Sequence, residues 1–236
     1  MQRVMGQARR AIQEYGMIAP GDHVAAAVSG GKDSLAMLAA LARLRRILPG
    51  GFTLTALSLE MGFPGGAADW EPVRGLCKAL EVPFELRKTQ IGEIVFSVRQ
   101  EKNPCSLCSR MRRGALLNAA QALGCGRLAL GHHRDDAVET FLMNLTREGR
   151  LDCFSPVTVL EDRGITLIRP LCLVSEREIG RAVRGSGLTA VKSRCPDDHA
   201  TARQEMKELL WQLERKDPGT KERIFGALRR SRLCGW

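Results

Sequence analysis

Val24-Ala25-Ala26-Ala27-Val28-Ser29-Gly30-Gly31-Lys32-Asp33-Ser34 is the stretch whose reading decides the fold. The apolar run Val24–Val28 reads as a buried strand, and the pattern Leu35 to Leu48 reads as a helix. Ser29–Ser34 is therefore a strand–turn–helix junction. Gly30 and Gly31 lack a Cβ and can aim successive N–H groups at one anion. The helix N-terminus adds unpaired donors and a partial positive charge. Ser29 and Ser34 supply hydroxyls, Lys32 neutralises phosphate charge, and Asp33 suits a turn that also holds Mg²⁺. The stretch predicts a phosphate site. It has neither the four-residue spacing before Gly-Lys-Ser/Thr nor a G-x-G-x-x-G string, which excludes the two commonest nucleotide loops.

Working outward, strands and helices alternate. A helix is predicted over 3–16, then Val24–Val28 (strand), 33–47 (helix), Phe52–Leu59 (strand), 68–81 (helix) and Phe84–Lys88 (strand). A cysteine-bearing loop leads to a helix at 108–123, followed by a strand at Arg127–Leu130 and a helix at about 135–146. Ile165–Arg169 is the last strand, with a helix at 175–186. Such alternation implies an α/β fold with a doubly wound parallel sheet and ligands at the carboxyl ends of its strands. Residues 1–190 form the α/β domain carrying the phosphate loop. Residues 191–236, helical and charged, read as a C-terminal appendage within one globular unit. There is no internal repeat or low-complexity tract. Gly131-His132-His133-Arg134-Asp135-Asp136 follows a strand and should share the crevice of Ser29–Ser34, contacting ribose, phosphate or Mg²⁺. One of Asp135 and Asp136 is expected to cap the helix.

The 236 residues are 44% hydrophobic and carry a net charge of +10. That suffices for one sizeable core. No apolar stretch reaches bilayer length, and Met1-Gln2-Arg3-Val4 does not open a secretion signal, so a cytoplasmic chain without a membrane partner is expected. Arginine clusters at Arg9/Arg10, Arg43/Arg45/Arg46, Arg110/Arg112/Arg113, Arg147/Arg150 and Arg229/Arg230/Arg232 point to a polyanion, RNA rather than a membrane.

Eight cysteines are present. Cys105 and Cys108 form a C-x-x-C in Asn103-Pro104-Cys105-Ser106-Leu107-Cys108-Ser109-Arg110, and two thiolates at this spacing can face one ion. No second pair exists. Cys195, in Ser193-Arg194-Cys195-Pro196, is the best remote third ligand, with Cys234 the alternative. Cys77, Cys125 and Cys172 sit in apolar patterns as core thiols, and Cys153 is unassigned. Three thiolates suit a [4Fe–4S] cluster with one open iron; a thioredoxin-like redox pair is the rival reading. Arg110, Arg112 and Arg113 would lower thiol pKa values and could reach phosphate.

Ser29–Ser34 resembles the pyrophosphate loop (PP-loop) of adenylating ATPases. Together with Cys105-Ser-Leu-Cys108-Ser-Arg-Met-Arg-Arg-Gly114 and Leu130-Gly-His-His-Arg-Asp-Asp136, it is similar to the tRNA 2-thiocytidine synthetase family, the iron–sulfur, ATP-dependent tRNA-cytidine 2-sulfurtransferases. The resemblance runs from about Met5 to the C-terminus and takes in Ile168-Arg-Pro-Leu171 and the stretch from Arg203-Gln204 to Pro218-Gly219. It implies ATP, Mg²⁺ and a [4Fe–4S] cluster as cofactors. It implies a tRNA substrate, a cysteine desulfurase or hydrosulfide as sulfur donor, and by analogy a homodimer. Carried over by position, Ser29, Gly30, Gly31, Lys32, Asp33, Ser34, Gly131 and His132 bind the nucleotide. Cys105, Cys108 and Cys195 hold the cluster. Asp33, Cys105, Cys108, Arg112 and Asp135 are the catalytic candidates; the last two match a basic residue and an Asp of the related thiouridine enzymes. One departure is Cys195, which stands alone before Pro196-Asp197-Asp198 where the family has a Cys pair followed by Gly-Ser. The implied reaction is adenylation of the C2 oxygen of an anticodon-loop cytidine, then sulfur transfer. The alternatives are the same chemistry on a uridine or another acceptor, a cysteine-independent ligase of lysidine type, and a non-catalytic iron–sulfur RNA-binding or sensor protein.

Overall fold

The structure, a computed structural model, describes residues 1–99, 104–192, 194–196 and 202–236. Asn103, Ser193, Asp197 and Asp198 lie outside the described residues. Helix α1 (Gln2–Glu14) precedes β1 (His23–Ala27), α2 (Lys32–Leu44), β2 (Thr53–Glu60), α3 (Glu71–Ala79) and β3 (Phe84–Lys88). A short turn α4 (Ile91–Glu93) runs through a π-helical stretch to Arg99. Then follow α5 (Pro104–Ala122), β4 (Arg127–Ala129), α6 (Arg134–Arg147), β5 (Val157–Leu160), β6 (Ile165–Ile168), α7 (Glu176–Arg184), α8 (Ala202–Lys216) and α9 (Thr220–Ser231).

The six strands form one sheet in the order β3-β2-β1-β4-β6-β5. All neighbouring pairs are parallel except β5–β6. Val24, Ala25 and Ala26 of β1 are all buried because helices cover both faces, which is why this strand reads as a continuous apolar run rather than an alternating one. Helix α5 covers one face, where Leu117, Ala119 and Ala120 pack on Ala25, Leu57, Leu128 and Leu167. The larger core lies on the other face, against α1, α2, α3, α6 and α7. Chain order reverses direction between β1 and β4, so the crevice at their carboxyl ends is the topological switch point of the sheet.

Two elements differ from the sequence expectation. The C-x-x-C is not in a loop: α5 begins at Pro104, so Cys105 and Cys108 occupy its first turns. Proline at the first helical position presets φ and lacks only an N–H that would be unpaired there, so it starts this helix rather than delaying it. The sheet is also not wholly parallel. Val157–Leu160 is an extra edge strand, paired antiparallel to β6 with Leu160 opposite Ile165. Gly164 takes the left-handed conformation (φ 61°) that closes this hairpin.

Beyond residue 201 the described chain is helical. Helices α8 and α9 lie against α6, and Leu210, Phe225, Leu228 and Trp236 join the main core. Trp236, at the end of the sequence, packs edge-on against Tyr15 and Phe225, tilts over Phe154, and donates its indole N–H to the Phe154 carbonyl (2.8 Å). Among the described residues no helix is long and apolar enough to cross a membrane. Trp236→Ala removes this anchor and should destabilise the whole domain by about 3 kcal/mol, as for other buried aromatic truncations. The measurement is the urea midpoint, and an unchanged midpoint would mean that the C-terminal helices unfold independently of the sheet.

Candidate active site

Gly30 has φ +83°, open to glycine and strained for other residues. A Cβ there would also stand 2.7 Å from Cβ of Val191. The close approach is held by a hydrogen bond, Val191 N–H to Gly30 carbonyl (2.9 Å). Inside the turn, the Ser29 amide donates to Ser34 Oγ (3.2 Å) and the Gly31 amide to Ser29 Oγ (3.3 Å). Ser34 Oγ donates to the Gly31 carbonyl (2.9 Å). Among the described residues no side chain caps α2 at Gly31, which leaves the first N–H groups of the helix open to an anion. Gly131 seals the other side: a Cβ there would lie 3.2 Å from Ser34 N and Cα. The two loops meet, as their positions after β1 and β4 required.

Lys32 Nζ is bracketed by carboxylates. It donates to both Asp33 oxygens (3.0 Å each) and to Glu176 Oε1 (2.9 Å). Burial opposes the charge on Lys32, but the hydrogen bonds to Glu176 and Asp33 prevail and raise its pKa. Burial likewise works against ionised Glu176, yet Lys32 and Lys207 hold its carboxyl down at about 2. Lys207, from α8, reaches the same Oε1 at 3.4 Å. Two lysines from opposite ends of the sequence thus share one oxygen beside the phosphate turn.

In the second loop, His133 caps α6: its Nδ1 accepts from the Asp136 amide (3.2 Å), and Asp136 Oδ2 accepts from the His133 amide (2.8 Å). Neither aspartate is the N-cap, contrary to expectation. An imidazole nitrogen can accept as a serine hydroxyl does, which moves the cap to His133 and makes Asp136 the third residue of the capping box. His133 Nε2 stands 3.9 Å from Asp33 Oδ1, joining the loops. Asp136 also accepts from Arg203 of α8 (2.8 Å). Asp135 is buried with its oxygens engaged inside the fold: Oδ2 accepts the Glu176 amide (2.8 Å) and Oδ1 pairs with Lys221 of α9 (3.3 Å). His132 stacks on Phe154 with ring centroids 5.2 Å apart, and its Nδ1 is buried without a partner. Burial lowers its pKa to about 4, so it is neutral at pH 7.

Cys105 is exposed, while Cys108 and Cys195 are half-buried. Burial raises the Cys108 thiol pKa, Arg112 opposes the rise, and Cys195 and Cys105 add to it. Cys105, Cys195 and Arg112 therefore all lie within electrostatic reach of Cys108. Cys234, the alternative third thiol, lies elsewhere: it donates to Asp152 Oδ1 (2.9 Å) and accepts from the Cys153 amide (3.3 Å). Cys77, Cys125, Cys153 and Cys172 are buried, and burial drives their thiols to about 11 or 12. Among the described residues no three His, Cys, Asp or Glu side chains are closed around a common point at metal-binding spacing. The donor chemistry nevertheless fits an iron–sulfur cluster: two thiols three residues apart on a helix start, a third brought near them, and a cation to offset thiolate charge.

Glu176, Lys207, Arg203 and Glu139 carry no local motif, and sequence reading missed them. Glu139 of α6 is 1% exposed, neither carboxylate oxygen has a hydrogen-bond partner, and Lys207 Nζ is 4.0 Å away. Burial pushes its carboxyl up to about 7, against the pull of Lys207.

Two outcomes follow from these charges. Lys207→Ala should weaken ATP binding about tenfold by calorimetry, one charge-assisted contact's worth, with Lys207→Arg retaining most of the affinity. Glu139, raised from 4.5 to about 7, binds its proton more tightly when folded, so its contribution to stability falls as pH climbs through that range. His132, lowered from 6.5 to about 4, has the opposite slope between those values and masks part of the effect in wild type. Glu139→Gln should therefore exceed wild type in stability by about 2–3 kcal/mol at pH 8 and match it near pH 4.5, read by urea denaturation at both pH values.

The chain matches the PP-loop domain family over residues 3–213. It is 40% identical over 222 residues to a tRNA-cytidine(32) 2-sulfurtransferase of Pelobacter propionicus, covering 93% of this chain and 82% of that one. It is 38% identical over 225 residues to the protein of the same name from Geobacter sulfurreducens, covering 93% and 86%. Among solved structures, the U34-tRNA thiolase NcsA of Methanococcus maripaludis, seen with its [4Fe-4S] cluster, superposes with a TM-score of 0.78 at 23% identity, covering 96% of this chain and 78% of that one; this likeness shows the fold. A phosphate turn closed by Val191 and Gly131, on a sheet of this order, agrees with those relationships: the chain belongs to the PP-loop family, among the tRNA-cytidine 2-sulfurtransferases.

Proposed function

We propose that this protein uses ATP to activate a tRNA cytidine, at position 32 as in its relatives' names, and replaces the C2 oxygen by sulfur in the cytoplasm. The observation that carries the reading is the Val191–Gly30 hydrogen bond (2.9 Å). Cys195 follows Val191 by four residues, a reach of at most about 14 Å of chain. Nucleotide chemistry and thiol chemistry therefore meet at one end of the sheet.

The C2 oxygen of the base attacks the α-phosphorus of ATP, and pyrophosphate leaves. Donor sulfur then attacks C2, and AMP departs with the former oxygen. An unactivated amide-like oxygen is a poor leaving group, whereas AMP is a good one. The Ser29–Ser34 turn and the α2 N-terminus take the β- and γ-phosphates, with Lys32 transferring from Glu176 to phosphate charge. Asp33 is placed to hold Mg²⁺ beside them. Gly131 lets its loop approach the turn, and His132 presents an uncharged ring. Cys105, Cys108 and Cys195 would hold a [4Fe–4S] cluster, which when bound would supply an iron not ligated by cysteine for a hydrosulfide, delivered as such or released from a desulfurase-derived persulfide by a thiol reductant. Arg112, close to Cys108, offsets negative charge there. We assign Asp135 a positioning role, since its carboxylate fixes the start of α7 and hence Glu176.

Bulk tRNA from a strain lacking the gene should lose 2-thiocytidine, measured by nucleoside mass spectrometry. Wild type should restore it; Lys32→Ala and Cys105→Ala should not. Unchanged 2-thiocytidine in the deletion strain, with another thionucleoside lost, would move the acceptor to that base. Anaerobically purified wild type should carry about four iron and four sulfide per chain, and Cys195→Ala should lose them.

A further inference from the structure

On the side of the sheet away from α5, helices α1, α7 and α9 enclose a cleft of about 1080 Å³ that the chemistry above does not use. Nine basic and five acidic side chains line it, and its apolar lining is confined to Leu173, Phe225 and Trp236 at the base together with the ring of Tyr15. The acidic groups are engaged. Glu14 pairs with Arg229 and Arg10, Glu178 with Arg3, Glu222 with Arg134, and Asp135 with Lys221, while Glu214 accepts the Gly219 and Lys221 amides. Arg177, Arg181 and Arg230 are exposed and make no ion pair among the described residues. The excess charge of the cleft is therefore concentrated on guanidinium groups free to meet an incoming anion.

We infer that this cleft seats the ribose–phosphate backbone of the tRNA substrate, an inference that rests on the proposed activity. Arg177 and Arg181 lie one turn apart on α7, about 6 Å along its axis, and Arg230 of α9 lines the same groove. Guanidinium forks in such a row match successive phosphates and carry no sequence information, so they position the RNA and leave the choice of base to the active site. A small-molecule site would need a mostly apolar lining. A protein partner would need a central aromatic or aliphatic anchor point, whereas Phe225 and Trp236 are buried in the core. The cleft also adjoins the chemistry. Asp135 lies on its wall and accepts the Glu176 amide at 2.8 Å, and Glu176 in turn accepts from Lys32 at 2.9 Å. Two residues, Asp135 and Glu176, link the wall of the groove to Lys32 of the phosphate turn, so RNA held in it would have its unpaired loop close to the crevice.

The test is fluorescence anisotropy of labelled tRNA with the full chain, wild type against Arg177→Gln/Arg181→Gln/Arg230→Gln, across a salt series. The triple variant should bind at least about tenfold more weakly at 0.15 M salt, and the slope of log K against log salt should flatten by about 2–3, one increment per lost phosphate contact. ATP binding by calorimetry and the thermal midpoint should be unchanged. The triple Arg→Lys variant, which keeps the charge, should recover most of the affinity and of the salt slope. Wild-type binding to tRNA with a variant indistinguishable in affinity and slope would overturn the cleft assignment while leaving the proposed activity standing, and would make an acidic protein the better occupant. Failure of wild type itself to bind any tRNA would overturn the proposed activity, and the cleft inference with it.

Discussion

The structure depends on one shared oxygen. Glu176 Oε1 accepts from Lys32 at 2.9 Å and from Lys207 at 3.4 Å. The first lysine belongs to the phosphate turn and the second to the C-terminal helix α8. Glu176 is the first residue of α7, where a carboxylate is favoured by the helix dipole, and the α7 start is itself held by Asp135 through the Glu176 amide. These contacts tie α2, α6, α7 and α8 into one electrostatic unit. In a crevice shaped for phosphate, two lysines without a counter-charge would repel each other and demand solvent. Glu176 and Asp33 supply the negative charge until a nucleotide can.

The same balance explains why the unit tolerates an unsatisfied group. Glu139 sits beneath α8 with no hydrogen-bond partner on either oxygen, and an ionised carboxylate there would meet Asp136 and Glu176 as like charges. The fold accommodates it by raising its pKa rather than by neutralising it with a close cation, since Lys207 is drawn toward Glu176 instead. A buried polar group left unpaired beside a site that must change its charge when substrate binds is a local conflict of the kind proteins keep where function requires it. Its cost falls on α6 and α8, away from the sheet.

What the sequence made legible is what is local. The phosphate turn could be read because Gly, Ser, Lys and Asp sit within six residues between a strand and a helix, and all of the chemistry inferred from them is short-range. The parallel, doubly wound sheet follows from alternation, and the crevice from ligands binding at the carboxyl ends of its strands. The hairpin β5–β6 was obscured by its short, partly exposed edge strand, and the start of α5 by reading Pro104 as a loop residue rather than a helix opener. The partners of Lys32 were not legible at all: Glu176 lies 144 residues away, and nothing in its neighbourhood distinguishes it from the other acidic residues of a capping box. His133 as a cap was missed for a related reason, because cap preferences favour Asp and the choice between neighbours is settled by which backbone N–H each side chain can reach.

The cysteines show both regimes at once. Spacing alone paired Cys105 with Cys108, since three residues along a helix is a local distance. The surroundings of the two remote thiols, Cys195 and Cys234, are a matter of three dimensions. Cys234 donates to Asp152 near the packed Trp236, whereas Cys195, four residues after the Val191 that bonds Gly30, lies within electrostatic reach of Cys108. Val191 itself rests on Gly30, where a Cβ would stand 2.7 Å from its own Cβ. A glycine read from sequence as backbone freedom for binding phosphate thus has a second use: it admits Val191, four residues before the proposed cluster ligand Cys195. A side chain at Gly30 would disturb the phosphate turn and displace Val191 together, so the two proposed half-sites would be perturbed through a single Cα.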